Sequence, residues 1–216
     1  MNCEMTTLCP LIVSGDKLNC KKEKNASPAG ILAAMTRVIT VPPFMAAVLV
    51  GAMHLLSGDF TLLSLAHFIF FLSVLPLMSY PVSWIVPSIR RKGRDGQRKL
   101  ATLVTVIGYV LLTVYCLIVR SPLREMIICM TYLGSGIMTA VLSYGFHFKS
   151  SGHTCGFSGP IAMLAFRVSP WCLLLYVLIV PVVWSSIRLR RHTPAQLLVG
   201  ALIPVVIMTV LILCFG

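Results

Sequence analysis

A chain of 216 residues with 57% apolar and only 11% charged side chains cannot coat a domain in water, because soluble domains carry about 25% charged residues. The net charge of +12 does not make it a nucleic-acid binder: its basic residues lie in short loops beside apolar stretches, where acidic lipid headgroups are a sufficient partner. Lipid is the solvent that fits. The predicted fold class is an all-α integral membrane protein, a bundle of about six transmembrane helices with a seventh hydrophobic segment.

Residues 1–29 read as a polar tail. Asp16, Lys17, Lys21, Lys22, Glu23 and Lys24 interrupt any apolar core there, so no cleavable signal is predicted. The sequon Asn25-Ala26-Ser27 carries no weight. Residues 30–216 form one transmembrane domain. A helix crossing the hydrocarbon core needs about 20 mostly apolar residues, and such spans lie at 31–56, 61–87, 100–119, 126–148, 171–187 and 194–215. Segment 151–168 is shorter and starts polar, as a helix entering the membrane from a polar site would. Pro42, Pro43, Pro76 and Pro181 do not veto these spans, since neighbouring helices can satisfy freed backbone groups. Arg37 and His67 are strongly polar residues inside the first two spans, and His67, with His54 and His147, matches no motif. The eight cysteines show no paired spacing, and Cys116, Cys129, Cys172 and Cys214 lie in apolar spans as small hydrophobes. No disulfide framework, metal site or cofactor is expected.

The information lies where the chain stops being apolar. Three polar junctions, 88–99, 149–155 and 188–193, are separated by even numbers of crossings and so share one face with the tail. The connections on the other face, 57–60, 120–125 and 167–170, are minimal. Of the eighteen Lys and Arg, Arg120, Arg124 and Arg167 fall on that second face and the other fifteen on the tail side, Arg37 included. The positive-inside rule then predicts a cytoplasmic tail and cytoplasmic polar junctions, and the tail's Cys3, Cys9 and Cys20 suit a reducing compartment. The same basic residues also suit a phosphate-binding site.

The junctions read Arg90-Arg91-Lys92-Gly93-Arg94-Asp95-Gly96-Gln97-Arg98-Lys99, then Lys149-Ser150-Ser151-Gly152-His153-Thr154, then Ser185-Ser186-Ile187-Arg188-Leu189-Arg190-Arg191-His192-Thr193-Pro194-Ala195-Gln196. From about Ser83 onward this order resembles the type 2 phosphatidic acid phosphatase (PAP2) superfamily, whose motifs are K-x6-R-P, P-S-G-H and S-R-x5-H-x3-D. Ser151-Gly152-His153 matches the second, with Ser150 where proline is usual. Ser185 and His192 match the third at the expected distance, and the run from His192 to Gln196 looks like a variant of small bacterial members. The first match is loose: Arg91, six residues, Arg98, then Lys99 in place of proline.

The resemblance implies a bacterial inner-membrane lipid phosphatase that needs no metal. His192 would attack phosphorus and His153 would protonate the leaving alcohol. Arg91, Arg98, Lys149, Ser151, Gly152 and Arg188 would hold the phosphate oxygens. Elementary chemistry is compatible with that: imidazole titrates near neutrality, and a helix opening at Ser151-Gly152 would present unpaired N–H groups to an anion. Two departures stand out. Ser186 replaces the arginine expected after Ser185, and Gln196 replaces the carboxylate expected four residues after His192. Gln196 is expected to accept the imidazole N–H and set its tautomer. The competing reading is a catalytically weak relative that binds or moves anionic lipids. A transporter lacks support, because no acidic residue lies inside a span and no inverted repeat is visible.

Overall fold

The computed structural model describes residues 27–215, so almost all of the tail, with its cysteines, lysines and sequon, lies outside the described residues. Within them the chain is helical, with no strand. Ser27 accepts the Gly30 N–H and caps α1, Pro28–Ile39. The helix α2, Pro42–Ser57, follows after a 51° bend. The predicted first span is therefore a bent pair, not one rod. The reason is local: Val41 precedes two prolines and is held extended.

Next come α3, Leu62–Ile85, and a short α4, Pro87–Arg91. A π-turn at Phe70–Val74 opens α3 just before Pro76, which has no N–H to give. The helix α5, Gly93–Ile118, takes in most of the first polar junction, which the sequence presented as a loop. It is followed by α6, Leu123–Gly145, and α7, Gly152–Arg167. The seventh predicted segment thus exists, at 16 residues too short for a full span. The last two are α8, Pro170–Arg188, which begins as a 3-10 helix, and α9, Pro194–Phe215. Among the described residues, five helices, or six counting α1 with α2 as one span, are long and apolar enough to cross a membrane. Large apolar side chains such as Leu55, Leu111, Val180 and Leu213 stay exposed on their outer faces, as lipid contact requires.

The short α7 is the centre of the bundle. It packs on α2, α8 and α9, and the run from Phe157 to Met163 is buried. Lipid tails are as apolar as leucine, so close backbone approach rather than water exclusion holds such helices together. Gly156 and Gly200 show this: a Cβ on Gly156 would collide with Pro42 of α2, and one on Gly200 with Ser151 and Thr154 of α7. Hydroxyls add ties across helices. Thr154 Oγ1 donates to Leu197 O at 2.9 Å, and Ser158 Oγ to Ala201 O at 2.8 Å.

The two ends of α7 meet different chemistry. At its C-terminal end Arg167 donates to Asp59 at 2.9 Å, and Arg124 donates to the same oxygen at 3.2 Å. Asp59 is only 3% exposed. This cluster joins the minimal connections that crossing parity placed on one face. At its N-terminal end, about 24 Å away for 16 residues at 1.5 Å each, lie His153 and the polar junctions.

Candidate functional site

The site is built on the start of α7. Ser150 and Ser151 are fully buried. Ser151 Oγ accepts the Thr154 N–H and caps the helix, while Ser151 N donates to Gln196 O at 3.1 Å, so the second and third junctions are joined through their backbones. His153 follows on the first turn. His192 lies in the 189–193 loop between α8 and α9. Both line a single cavity of about 470 Å³ that also takes in Arg37, Arg98, Lys149, Gly152 and Arg191, with Asp95 as the one acidic residue among the described lining.

The hydrogen bonds give the two imidazoles opposite tautomers. Arg37 Nη2 lies 3.2 Å from His153 Nδ1. A guanidinium can only donate, so Nδ1 accepts, and in the neutral ring the proton sits on Nε2. His192 Nδ1 lies 3.1 Å from Lys149 O. A carbonyl can only accept, so here Nδ1 carries the proton and Nε2 keeps its lone pair. One ring is a proton donor at Nε2 and the other an electron-pair donor.

Both rings are held neutral. Burial is the main cause for His153, with the charge of Arg37 second, and together they push it down to about 3. His192 is lowered as well, first by burial and then by the charge of Arg98. The Lys149 carbonyl opposes that shift, and the Gln196 amide opposes it least.

Several expected phosphate ligands are elsewhere. Arg98, Lys149 and Gly152 line the cavity, but Arg91, Arg188 and Ser151 do not. Arg91 is exposed on the short α4. Arg188 Nη2 reaches Ser27 Oγ at 3.4 Å, tying α8 to the cap of α1. Ser151 is spent on capping α7. Gly152 stands open, since a Cβ there would have nothing within 4 Å. Arg98 also reaches toward Ser143 Oγ at 3.4 Å and Ser150 O at 3.5 Å.

Gln196 does not set the His192 tautomer; the Lys149 carbonyl does. Gln196 Oε1 instead accepts the Thr193 N–H at 3.1 Å, and Thr193 Oγ1 accepts the Gln196 N–H at 3.4 Å. That reciprocal pair is a capping box at the start of α9. Its signature, Thr-Pro-Ala-Gln, was readable in the sequence. Two lining residues were also missed. Arg191 sits directly before His192, and within the basic run nothing in the sequence separates it from its neighbours. Arg37 was read as a polar interruption of the first span, and its place in the cavity depends on how α1 packs against α8. His67 takes no part: it stacks on Tyr115 at 4.3 Å and bonds Leu63 O of its own helix. Among the described residues, no cluster of three His, Cys, Asp or Glu side chains is placed to hold a metal ion.

No family model matches the chain, and no curated protein or solved structure matches it.

Proposed function

We propose that this chain is a membrane phosphatase of the PAP2 type that hydrolyses a phosphomonoester or pyrophosphate of a lipid. Candidate substrates are phosphatidic acid, phosphatidylglycerophosphate and polyprenyl phosphates. The observation that carries the reading is the pair of oppositely tautomeric histidines in one cavity with Arg98, Lys149 and Arg191. Phosphoryl transfer asks a protein mainly for positioning and charge stabilisation, and this arrangement offers both.

The proposed chemistry has two steps. The His192 Nε2 lone pair attacks phosphorus, the bond to the ester oxygen breaks, and the leaving alkoxide takes a proton from His153. A phosphohistidine remains. His153 then takes a proton from water as the water oxygen attacks phosphorus. The N–P bond breaks, His192 recovers its lone pair, and orthophosphate leaves. Protonating an alkoxide needs His153 as imidazolium, and a phosphate dianion beside the ring favours that form, since an opposite charge nearby stabilises the charged state. In this reading the site faces the cytoplasm, which the fifteen-to-three split of lysine and arginine favours, and the bacterial inner membrane is what the resemblance implies.

The test is orthophosphate release from a panel of lipid phosphates by the purified protein in detergent, with EDTA present. Release from at least one lipid is expected. A well-folded protein that binds these lipids and releases nothing favours the competing reading, an anionic-lipid binder. Ser186 and Gln196 are the departures that support it.

A further inference from the structure

Arg37 reaches the site from α1, far in sequence from every motif. Its guanidinium touches one of the two reacting imidazoles, His153, and the serine that stands where the resemblance expects an arginine. Nη2 donates to His153 Nδ1 at 3.2 Å and Nη1 donates to Ser186 Oγ at 2.8 Å. Ser186 is fully buried, and its hydroxyl proton goes to Val182 O at 2.9 Å. Its oxygen lone pairs are thereby turned to the guanidinium. Ser186 is a positioning residue for Arg37, and it is small where a longer side chain would meet that guanidinium.

A charged side chain at the end of a membrane helix usually reaches outward to water or headgroups. Arg37 turns inward and lines the cavity that holds His153, His192, Arg98 and Lys149. In the phosphatase reading the pocket's ligand is an anion, and a cation lining the pocket is attracted to it. The planar fork of arginine matches two oxygens of a phosphate at once.

We propose that Arg37 is a phosphate ligand of this site, contributed by α1, and that it supplies the arginine which position 186 lacks. The proposal rests on the phosphatase reading above. It also links binding to proton transfer. His153 can take its second proton only at Nδ1, where Arg37 now donates. A phosphate that draws Nη2 onto its own oxygens frees that nitrogen. The ligand chemistry is a phosphomonoester dianion, whether it arrives as a lipid headgroup or as a soluble ester.

The experiment measures two things on the full chain in detergent: binding of inorganic phosphate, and turnover of a lipid phosphomonoester and of p-nitrophenyl phosphate. The variants are Arg37→Gln, Arg37→Lys, Arg37→Ser, and Arg37→Ser combined with Ser186→Arg. Losing a charge-assisted contact should weaken phosphate binding by about 10- to 100-fold in Arg37→Gln. Arg37→Lys should fall between Arg37→Gln and wild type. The double variant should recover most of what Arg37→Ser loses, while Ser186→Arg alone should crowd Arg37 and reduce turnover. A loss for both substrates supports a ligand to the phosphate itself. A loss confined to the lipid overturns that and makes Arg37 a contact to the rest of the lipid.

Phosphate binding unchanged in folded Arg37→Gln overturns the proposal, as does a double variant no better than Arg37→Ser. If Arg37→Gln does not fold, the lysine and double variants decide by the same comparison. The two readings fail differently. Arg37-dependent phosphate binding without turnover of any ester refutes the phosphatase and keeps this site. Turnover that is indifferent to Arg37 does the reverse.

Discussion

Gly200→Ala is the sharpest test of how the bundle builds the site. Position 200 lies on α9, where it passes the first turn of α7. A Cβ there would lie 2.5 Å from Ser151 O, 2.6 Å from Thr154 Oγ1 and 3.1 Å from Ser151 N. Ordinary contact begins at 3.4 Å, so the two helices must separate by about 0.9 Å. The obstacle is mostly backbone and cannot swing aside. Separation strains the Ser151 N–H bond to Gln196 O and the Thr154 hydroxyl bond to Leu197 O. His153 moves with α7 and His192 with the approach to α9, so the error appears between the two reacting groups. A misplacement near 1 Å costs about 100-fold in rate, and the overpacking itself about 1–3 kcal/mol of stability. The assay is kcat/KM for phosphate release in detergent, with a thermal melt on the same sample. Gly51→Ala, with nothing within 4 Å, is the neutral control. A folded Gly200→Ala protein within about threefold of wild type would refute the argument that this contact sets the site's geometry.

Gly152→Ala should leave the melt unchanged, because its Cβ meets no protein atom within 4 Å, yet raise KM if phosphate approaches there; steady-state kinetics separate the two. His192→Ala should abolish turnover, while His153→Ala should be severe for alkyl phosphates and milder for p-nitrophenyl phosphate, whose leaving group needs less protonation. Gln196→Glu should keep the capping box and near wild-type activity, whereas Gln196→Ala should cost about 1 kcal/mol in a denaturation series. In a pH profile of kcat/KM, activity should fall on acidification only below the ordinary imidazole range, because His192 is held neutral. Arg98→Gln removes the positive charge that most lowers it, so the acid limb should move to higher pH. Asp59→Asn leaves Arg124 and Arg167 without their shared carboxylate; because both arginines are part-exposed it should destabilise the bundle by only about 1 kcal/mol while KM holds, read from a thermal melt and steady-state kinetics.

What the sequence determined by itself was the apolar, helical character of the chain and which connections lie together. Apolar runs of membrane length need no partner to be recognised, and crossing parity correctly grouped both sets of connections. The three junctions meet around His153, and the minimal ones meet at Asp59. Candidate residues within a motif run were legible for the same reason: Arg98, Lys149, Gly152, His153 and His192 all line the cavity. Tertiary structure decided the rest. Arg37 lies 116 residues from His153 in the chain, and only the packing of α1 on α8 brings its guanidinium to the ring. The Lys149 carbonyl took the tautomer-setting role expected of Gln196, because a backbone group's partner depends on where two loops are pinned and not on residue type. Arg91 and Arg188 carry the same charge as Arg98, and no local pattern distinguishes them. Which basic side chain faces an anion is set by the rotation of its helix within the bundle, and that rotation is fixed by contacts such as Gly200 on Ser151.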